Sequence, residues 1–331
     1  MRYAFQAQGL VKRFGDTTAL NGVDLAARPG TVLGVLGPNG AGKTTAVRIL
    51  ATLLRPDAGR AEVAGFDVVR QAEEVRRRIG LTGQYASVDE DLTGTENLVM
   101  IGRLLDLSRA EARTRAAELL DRFDLADAAG RRAGTYSGGM RRRLDLAASL
   151  VARPEVVYLD EPTTGLDPAK RDDVWGLVRE QVAEGATVLL TTQYLEEADA
   201  LADEIAVIDR GAVIAHGTPH ELKAVVGDQT LQVRPLDEDR LPEVAELLER
   251  IAGQRPDSPG RGVLSVPVDG DATLRPLVAG LAERGIVVTE LSLRLPSLDE
   301  VFHALTGDRP GAGRQAAKAA MDSKASKEVV A

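Results

Sequence analysis

The run Gly37-Pro38-Asn39-Gly40-Ala41-Gly42-Lys43-Thr44-Thr45 has the residue types and spacing to grip phosphate. Gly37, four intervening residues and then Gly42-Lys43-Thr44 fit the P-loop pattern. Glycines leave backbone N–H groups free to close around phosphate oxygens. A helix starting at this point adds unpaired N–H groups and the positive end of its dipole. Lys43 then brings a point charge to the β- and γ-phosphates, and the Thr44 hydroxyl is placed to ligate Mg²⁺. Taken by itself, the run also suits an ordinary glycine-rich turn between a strand and a helix.

A second stretch, Val156-Val157-Tyr158-Leu159-Asp160-Glu161, reads as an apolar strand ending in two carboxylates. Asp160 suits a Mg²⁺ shared with Thr44. Successive residues at a strand end point differently, so Glu161 can face the attacking water as a general base, an effect of roughly 10²–10⁴-fold. A third stretch, Ser137-Gly138-Gly139 before a helix, offers bare backbone and a hydroxyl to another anion. One P-loop already takes the triphosphate, so the economical arrangement gives this site to the nucleotide of a second copy. ATP would then lie between two subunits. Phe14 reads either as a stacking surface for adenine or as a core aromatic.

These residues need rigid supports. Thr31–Leu36, Val156–Asp160 and Thr187–Thr192 read as continuous apolar strands, and helix-like stretches alternate with them, which predicts an α/β fold with a largely parallel sheet covered on both faces. Residues 3–30 read as short strands with turns at Gly15-Asp16, Asn21-Gly22 and Pro29-Gly30. Gln71 to Ile79 reads as a charged helix with Glu73/Arg77 and Glu74/Arg78 at i,i+4. Ser108 to Leu125 reads as a helix with a Ser108/Glu111 capping box and an apolar stripe of Ala112, Ala116, Leu119, Leu120 and Phe123. It belongs to a helical insertion at about 90–150. From residue 227 the composition shifts to a small α+β domain, 227–307, and residues 308–331 read as a flexible tail.

Composition narrows the function. A chain of 331 residues, 44% hydrophobic and 27% charged, is an ordinary globular chain with room for two domains. Without cysteine there is neither a disulfide nor a thiolate metal site. A formal charge of −9 argues against a nucleic-acid partner. No apolar run approaches the roughly 18 residues of a membrane span, and Met1–Gln6 lacks the apolar segment of a secretory signal. Any membrane role must run through another chain.

The ordered set Gly37–Thr45, Gln84, Ser137-Gly138-Gly139, Val156–Glu161, Gly165-Leu166-Asp167 and the polar residue after Thr191-Thr192 resembles the motifs of an ABC-type ATPase, a P-loop NTPase with an antiparallel β subdomain and a helical insertion. The likeness covers residues 1–220 and implies a nucleotide-binding domain at 1–226. It also implies a head-to-tail homodimer in which Ser137, Gly138 and Gly139 reach the other subunit's γ-phosphate. Phe14 would match the adenine-stacking aromatic. Gln84 would sense Mg²⁺ and the γ-phosphate and couple them to a membrane partner. Thr82–Glu90, Tyr136–Arg143, Thr191–Leu195 and Ser297–Phe302 are similar to the ATPases of daunorubicin/doxorubicin-resistance exporters over nearly the whole chain. That implies an ATP-hydrolysing subunit at the cytoplasmic face of the membrane, driving efflux of an amphiphilic antibiotic through a separate permease, with residues 85–100 as the docking surface. The alternative is a soluble ABC-type ATPase acting on ribosomes or DNA. The acidic balance, the single cassette and the short stretch between Lys43 and Asp160 speak against it.

Three departures from the ABC pattern, at four positions, stand out: Tyr136 and Met140 flank the Ser-Gly-Gly core, the stacking aromatic is Phe14, and Gln193 stands in place of the switch histidine. A glutamine amide donates a hydrogen bond to a phosphate oxygen but carries no titrating proton. Gln193 is therefore expected to position phosphate while Glu161 supplies the base. His216, His220 and His303 fall outside every motif.

Overall fold

Phe5, Ala7 and Leu10 bury one face of β1 (Phe5–Phe14), as Leu20, Val23, Leu25 and Ala27 do for β2 (Thr17–Ala27). The computed structural model describes residues 3–83, 88–226, 229–268, 273–294, 298 and 301–302. β1 and β2 pair antiparallel around Gly15, which adopts φ 56°. Asn21-Gly22, expected as a turn, lies inside β2 instead. Leu10 faces Val23 and Val11 faces Asn21, so Gly22 is skipped as a bulge at φ 76°. β3 (Val32–Leu36), buried at all five positions, leads through the glycine loop into α1 (Lys43–Leu50). β4 (Ala58–Val63) and β5 (Phe66–Asp67) complete an antiparallel sheet of order β2-β1-β4-β5. α2 (Ala72–Arg76) is shorter than expected, because Ile79 already opens β6 (Ile79–Thr82). Both anticipated i,i+4 ion pairs nonetheless form.

A helical layer follows, with α3 (Gly94–Leu104), α4 (Arg109–Arg122) and α5 (Gly138–Ser149). Capping boxes at Thr93/Glu96 and Ser108/Glu111 satisfy the first N–H groups of α3 and α4. Leu98, Ala116, Leu119, Leu120, Phe123 and Leu144 pack into one core with the sheet residues Val157, Leu159 and Val188. Tyr136 donates its hydroxyl to the Ala128 carbonyl at 2.7 Å. That hydroxyl lies 2.4 Å from where a Cβ at Gly94 would sit, so the tyrosine and the glycine fit as a pair.

β7 (Val156–Asp160), α6 (Pro168–Ala183), β8 (Thr187–Thr192), α7 (Leu195–Leu201), β9 (Glu204–Asp209) and β10 (Ala212–Gly217) finish the first unit. Its main sheet has the order β10-β9-β3-β8-β7-β6, parallel throughout except for β10. Leu36 pairs with Thr192 and Asp160 with Thr191, so the glycine loop, Glu161 and Gln193 all leave the carboxyl edge of adjacent strands. Open α/β sheets bind ligands at that edge.

The chain divides into two compact units, Met1–Pro219 and His220–Ala331. α8 (Pro219–Val226) precedes a four-stranded antiparallel sheet of β11 (Gln229–Pro235), β12 (Asp257–Gly260), β13 (Val263–Val268) and β14 (Val288–Arg294), in the order β12-β13-β11-β14. α9 (Leu241–Ala252) and α10 (Leu274–Glu283) contribute Val244, Leu247, Leu248, Leu277 and Leu281 to a core with Leu231, Val233 and Val266. Of residues 298–305, where a helix is expected, only 298, 301 and 302 are described, all three helical, and the expected tail 308–331 lies entirely outside the described residues.

Candidate functional site

The glycines of the loop answer to several neighbours. A Cβ on Gly37 would lie 2.2 Å from the Ile208 carbonyl oxygen, and one on Gly42 would lie 2.5 Å from that of Ala19. Close backbone approach from β9 and β2 therefore requires glycine at these two positions, a reason distinct from clearing space for phosphate. Gly40, at φ 81° with nothing near its Cβ position, is exposed beside Pro38 and Asn39. Gly42 caps α1 at φ 111° with no side chain on the first-turn N–H groups, which leaves those of the Lys43–Thr45 turn for an anion. Ala41 is buried, and Thr44 and Thr45 are partly so. This cradle fits phosphate.

Lys43 is 4% exposed. Its ammonium donates to the Gly37 and Pro38 carbonyls at 2.8 and 3.2 Å and lies 3.7 Å from Glu161 Oε1. Burial lowers its pKa, opposed by the charges of Glu161 and Asp160. Thr44 Oγ1 donates to Asp160 Oδ1 at 3.2 Å, and Thr191 Oγ1 donates to the same oxygen. Hydroxyl plus carboxylate suits a hard cation. Among the described residues no three His, Cys, Asp or Glu side chains cluster for a metal, so a Mg²⁺ here would draw its other oxygens from phosphate and water.

Glu161 is 8% exposed and adopts φ 52°, a costly conformation for a residue with a Cβ. Its N–H donates to Thr191 O and Thr191 Oγ1 at 3.0 and 3.2 Å, and Thr164 Oγ1 donates to its Oε2 at 3.2 Å. This turn splits the two carboxylates: Asp160 faces Thr44, while Glu161 faces Lys43. Gln193 is exposed just past β8. Phe14 is 51% exposed with the Lys12 ammonium 5.7 Å from its ring centroid, which leaves an open aromatic face and removes the core reading. Ser137 caps α5 by accepting from the Met140 N–H at 3.3 Å, and Ser137 and Gly138 are exposed. Among the described residues no hydrogen bond joins Ser137, Gly138 or Gly139 to the glycine loop of the same chain. Gln84 lies outside the described residues, as do Tyr85, Ala86 and Ser87 of the expected docking surface.

Two residues went unread in the sequence. Arg142, inside the run Arg141-Arg142-Arg143, turns inward and donates to the carbonyls of Gly83, Glu161 and Pro162. Glu197, beside Glu196, is fully buried and accepts from Trp175 Nε1 at 3.2 Å. Neighbouring like residues hide such positions. Only the side on which each helix packs distinguishes them.

The family described as ABC transporter matches residues 20–164, and the family described as ATP-binding protein DrrA1-3-like, C-terminal domain, matches residues 217–306. The chain is 55% identical to the daunorubicin resistance ATP-binding protein DrrA2 of Streptomyces coeruleorubidus, over 93% of this chain and 96% of that protein. It is 53% identical to the daunorubicin/doxorubicin resistance ATP-binding protein DrrA of Streptomyces peucetius, over 97% of each. A Nod factor export ATP-binding protein I of Ralstonia nicotianae is 40% identical over 91% of this chain and 92% of its own length. Among solved structures, an ATP-binding subunit of an ABC transporter superposes with a TM-score of 0.61 at 27% identity, covering 67% of this chain and 92% of that one. A dimeric post-hydrolysis ATP-binding cassette bound to ADP and Pi gives 0.59 at 25% identity, covering 65% and 98%.

Proposed function

We infer the function from one established premise: the chain belongs to the ABC transporter ATP-binding proteins, in the family of the daunorubicin/doxorubicin resistance subunits. It is the ATP-binding and ATP-hydrolysing subunit of an exporter. The observation that carries this reading is the convergence of Lys43, Thr44, Asp160 and Glu161 at the carboxyl edge of β3 and β7.

In the proposed cycle the N–H groups of Gly40–Thr45 wrap the phosphates, Lys43 moves its charge from the Gly37 and Pro38 carbonyls onto the β- and γ-oxygens, and Phe14 stacks on adenine. Thr44 and Asp160, with Gln84, would hold Mg²⁺, which when bound would supply charge neutralisation at the β- and γ-phosphates. Water adds to the γ-phosphorus, the bond to the β–γ bridging oxygen breaks, and Glu161 accepts the proton from that water. Gln193 donates its amide to a γ-oxygen. Ser137, Gly138 and Gly139 of a second copy complete the site, so two subunits close on two nucleotides. That arrangement agrees with the exposure of Ser137 and Gly138 here and with the dimeric cassette that the chain resembles.

No helix among the described residues is long and apolar enough to cross a membrane. Transport therefore calls for a separate permease, with this chain docked at its cytoplasmic face through residues 85–100. The cargo is an amphiphilic antibiotic of the daunorubicin type, a reading supported by the names of the relatives. Residues 1–226 form the nucleotide-binding domain, with 227–307 as an accessory domain. The test is drug survival in cells that hold the permease and lack this chain. Wild-type protein should restore growth on daunorubicin and a Glu161→Gln variant should not; equal protection by both would defeat the proposal.

A further inference from the structure

Helix α5 makes two sets of contacts at opposite ends of its first turns. Its N-terminus presents Ser137 and Gly138 to the outside. Arg142, one turn further on, points the other way. Its Nε donates to the Pro162 carbonyl at 2.7 Å, Nη1 to the Gly83 carbonyl at 3.0 Å, and Nη2 to the Glu161 carbonyl at 3.3 Å. Nη1 also lies 3.2 Å from Asp145 Oδ2, a carboxylate with no exposure of its own. All three guanidinium nitrogens are thus spent on backbone leaving β6 and β7, and a buried counter-charge on the same helix balances them.

Two of those carbonyls, Glu161 and Pro162, belong to the turn that aims the Glu161 carboxylate. A non-glycine residue at φ 52° persists only where its surroundings over-determine it. Thr191 fixes this turn from the N–H side and Arg142 from the carbonyl side. Gly83, the third partner, immediately precedes Gln84. A planar fork holds three separate carbonyls with donors in fixed directions, whereas the three donors of an ammonium rotate on a flexible stem.

We propose that Arg142 is a positioning residue that makes α5 a rigid link between two nucleotide sites. The helix N-terminus completes the partner subunit's site, while Arg142 holds Glu161 of its own chain in register. Docking of the N-terminus of α5 on a neighbour's nucleotide then sets the aim of the base held one turn further along the helix. The linking half of this proposal rests on the two-subunit reading above; the hold on Glu161 does not. Misplacement of a reacting group by about 1 Å can cost on the order of 100-fold in rate, so loosening this turn acts on turnover before it acts on binding.

The test uses the full chain with Arg142→Met, which keeps the aliphatic stem and removes every donor, and with Arg142→Lys. Turnover against ATP concentration and binding of a non-hydrolysable ATP analogue are measured for each. Arg142→Met should lower kcat by about tenfold or more, leave KM and analogue affinity within about twofold, and abolish cooperativity in ATP. Arg142→Lys should recover part of kcat. If Arg142→Met does not fold, Arg142→Lys decides alone, with a reduced kcat at unchanged KM expected. A wild-type kcat and wild-type cooperativity in whichever variant is folded overturn the proposal. Sedimentation of Glu161→Gln with ATP separates the two layers. A monomer there, together with a kcat loss in Arg142→Met, sinks the link and the two-subunit reading while the hold on Glu161 stands. A dimer with normal Arg142→Met kinetics sinks the hold and the link together and leaves the two-subunit reading standing.

Discussion

Replacing Glu197 by glutamine is expected to stabilise the protein, and by more in mild alkali than in mild acid. The side chain is fully shielded, and its Oε1 accepts from Trp175 Nε1. The hydroxyls of Thr192 and Thr163 face the carboxylate, yet Oε2 and Thr163 Oγ1 have no partner of hydrogen-bond geometry. Burial is the leading influence and raises the pKa above 4.5, against the opposing pull of those hydroxyls, the indole and Arg171. A carboxyl with a raised folded pKa keeps its proton over a window in which the unfolded chain has lost it. Its contribution to stability is therefore fully present below about 4.5 and is lost as pH rises through the folded value, beyond which the penalty is constant. Glutamine offers Trp175 the same acceptor, brings an amide donor toward Thr163 and carries no charge. The gain above the window is about 1–3 kcal/mol, the cost of a buried polar group left unpaired. At about 2–4 °C per kcal/mol for a unit of this size, it is readily measured. Thermal melts followed by the emission of Trp175, the sole tryptophan, provide the assay at about pH 4, below the window, and at about pH 8. Equal Tm differences at both pH values, or a loss at the higher one, would refute the assignment of a desolvated charge to this position.

Gly42→Ala places a Cβ 2.5 Å from Ala19 O and 2.8 Å from Leu20 Cδ2 at φ 111°. Backbone strain and overpacking of about 1–3 kcal/mol each should lower Tm and weaken ATP binding together, and calorimetry showing neither contradicts the packing reason for this glycine. Phe14→Ala should weaken ATP binding by on the order of 1 kcal/mol and leave Tm nearly unchanged, since the ring is half exposed; a Tm loss without an affinity loss would make Phe14 a packing residue. Gln193→His should add a step near about pH 6.5 to the pH–rate profile, which the wild-type amide lacks. Identical profiles would remove Gln193 from contact with the γ-phosphate.

The parts of the molecule governed by local pattern were legible before the fold was known. Continuous apolar runs at Val32–Leu36, Val156–Asp160 and Thr187–Thr192 are buried strands of one parallel sheet, and the Ser108/Glu111 spacing forms its capping box. Features decided by a distant partner were not legible. Asn21-Gly22 has turn chemistry, but long pairing on both sides absorbs it as a bulge. β12, with Pro259 and polar residues, carries no strand signal, and it is tolerated because it lies on a sheet edge. The same holds at the site. Residue types marked Lys43, Thr44, Asp160 and Glu161, whereas the carbonyls that force glycine at 37 and 42 come from β9 and β2. Three adjacent arginines look alike in sequence, yet only Arg142 reaches the turn behind the base, because α5 packs that side against β6.

The measurement that bears most directly on the account is the oligomeric state of Glu161→Gln protein at saturating ATP and Mg²⁺, by analytical ultracentrifugation. With hydrolysis blocked and the glycine loop and Ser137-Gly138-Gly139 intact, the protein should sediment as a dimer with ATP and as a monomer after its removal. A monomer at saturating ATP, alone and beside its permease, would contradict the account.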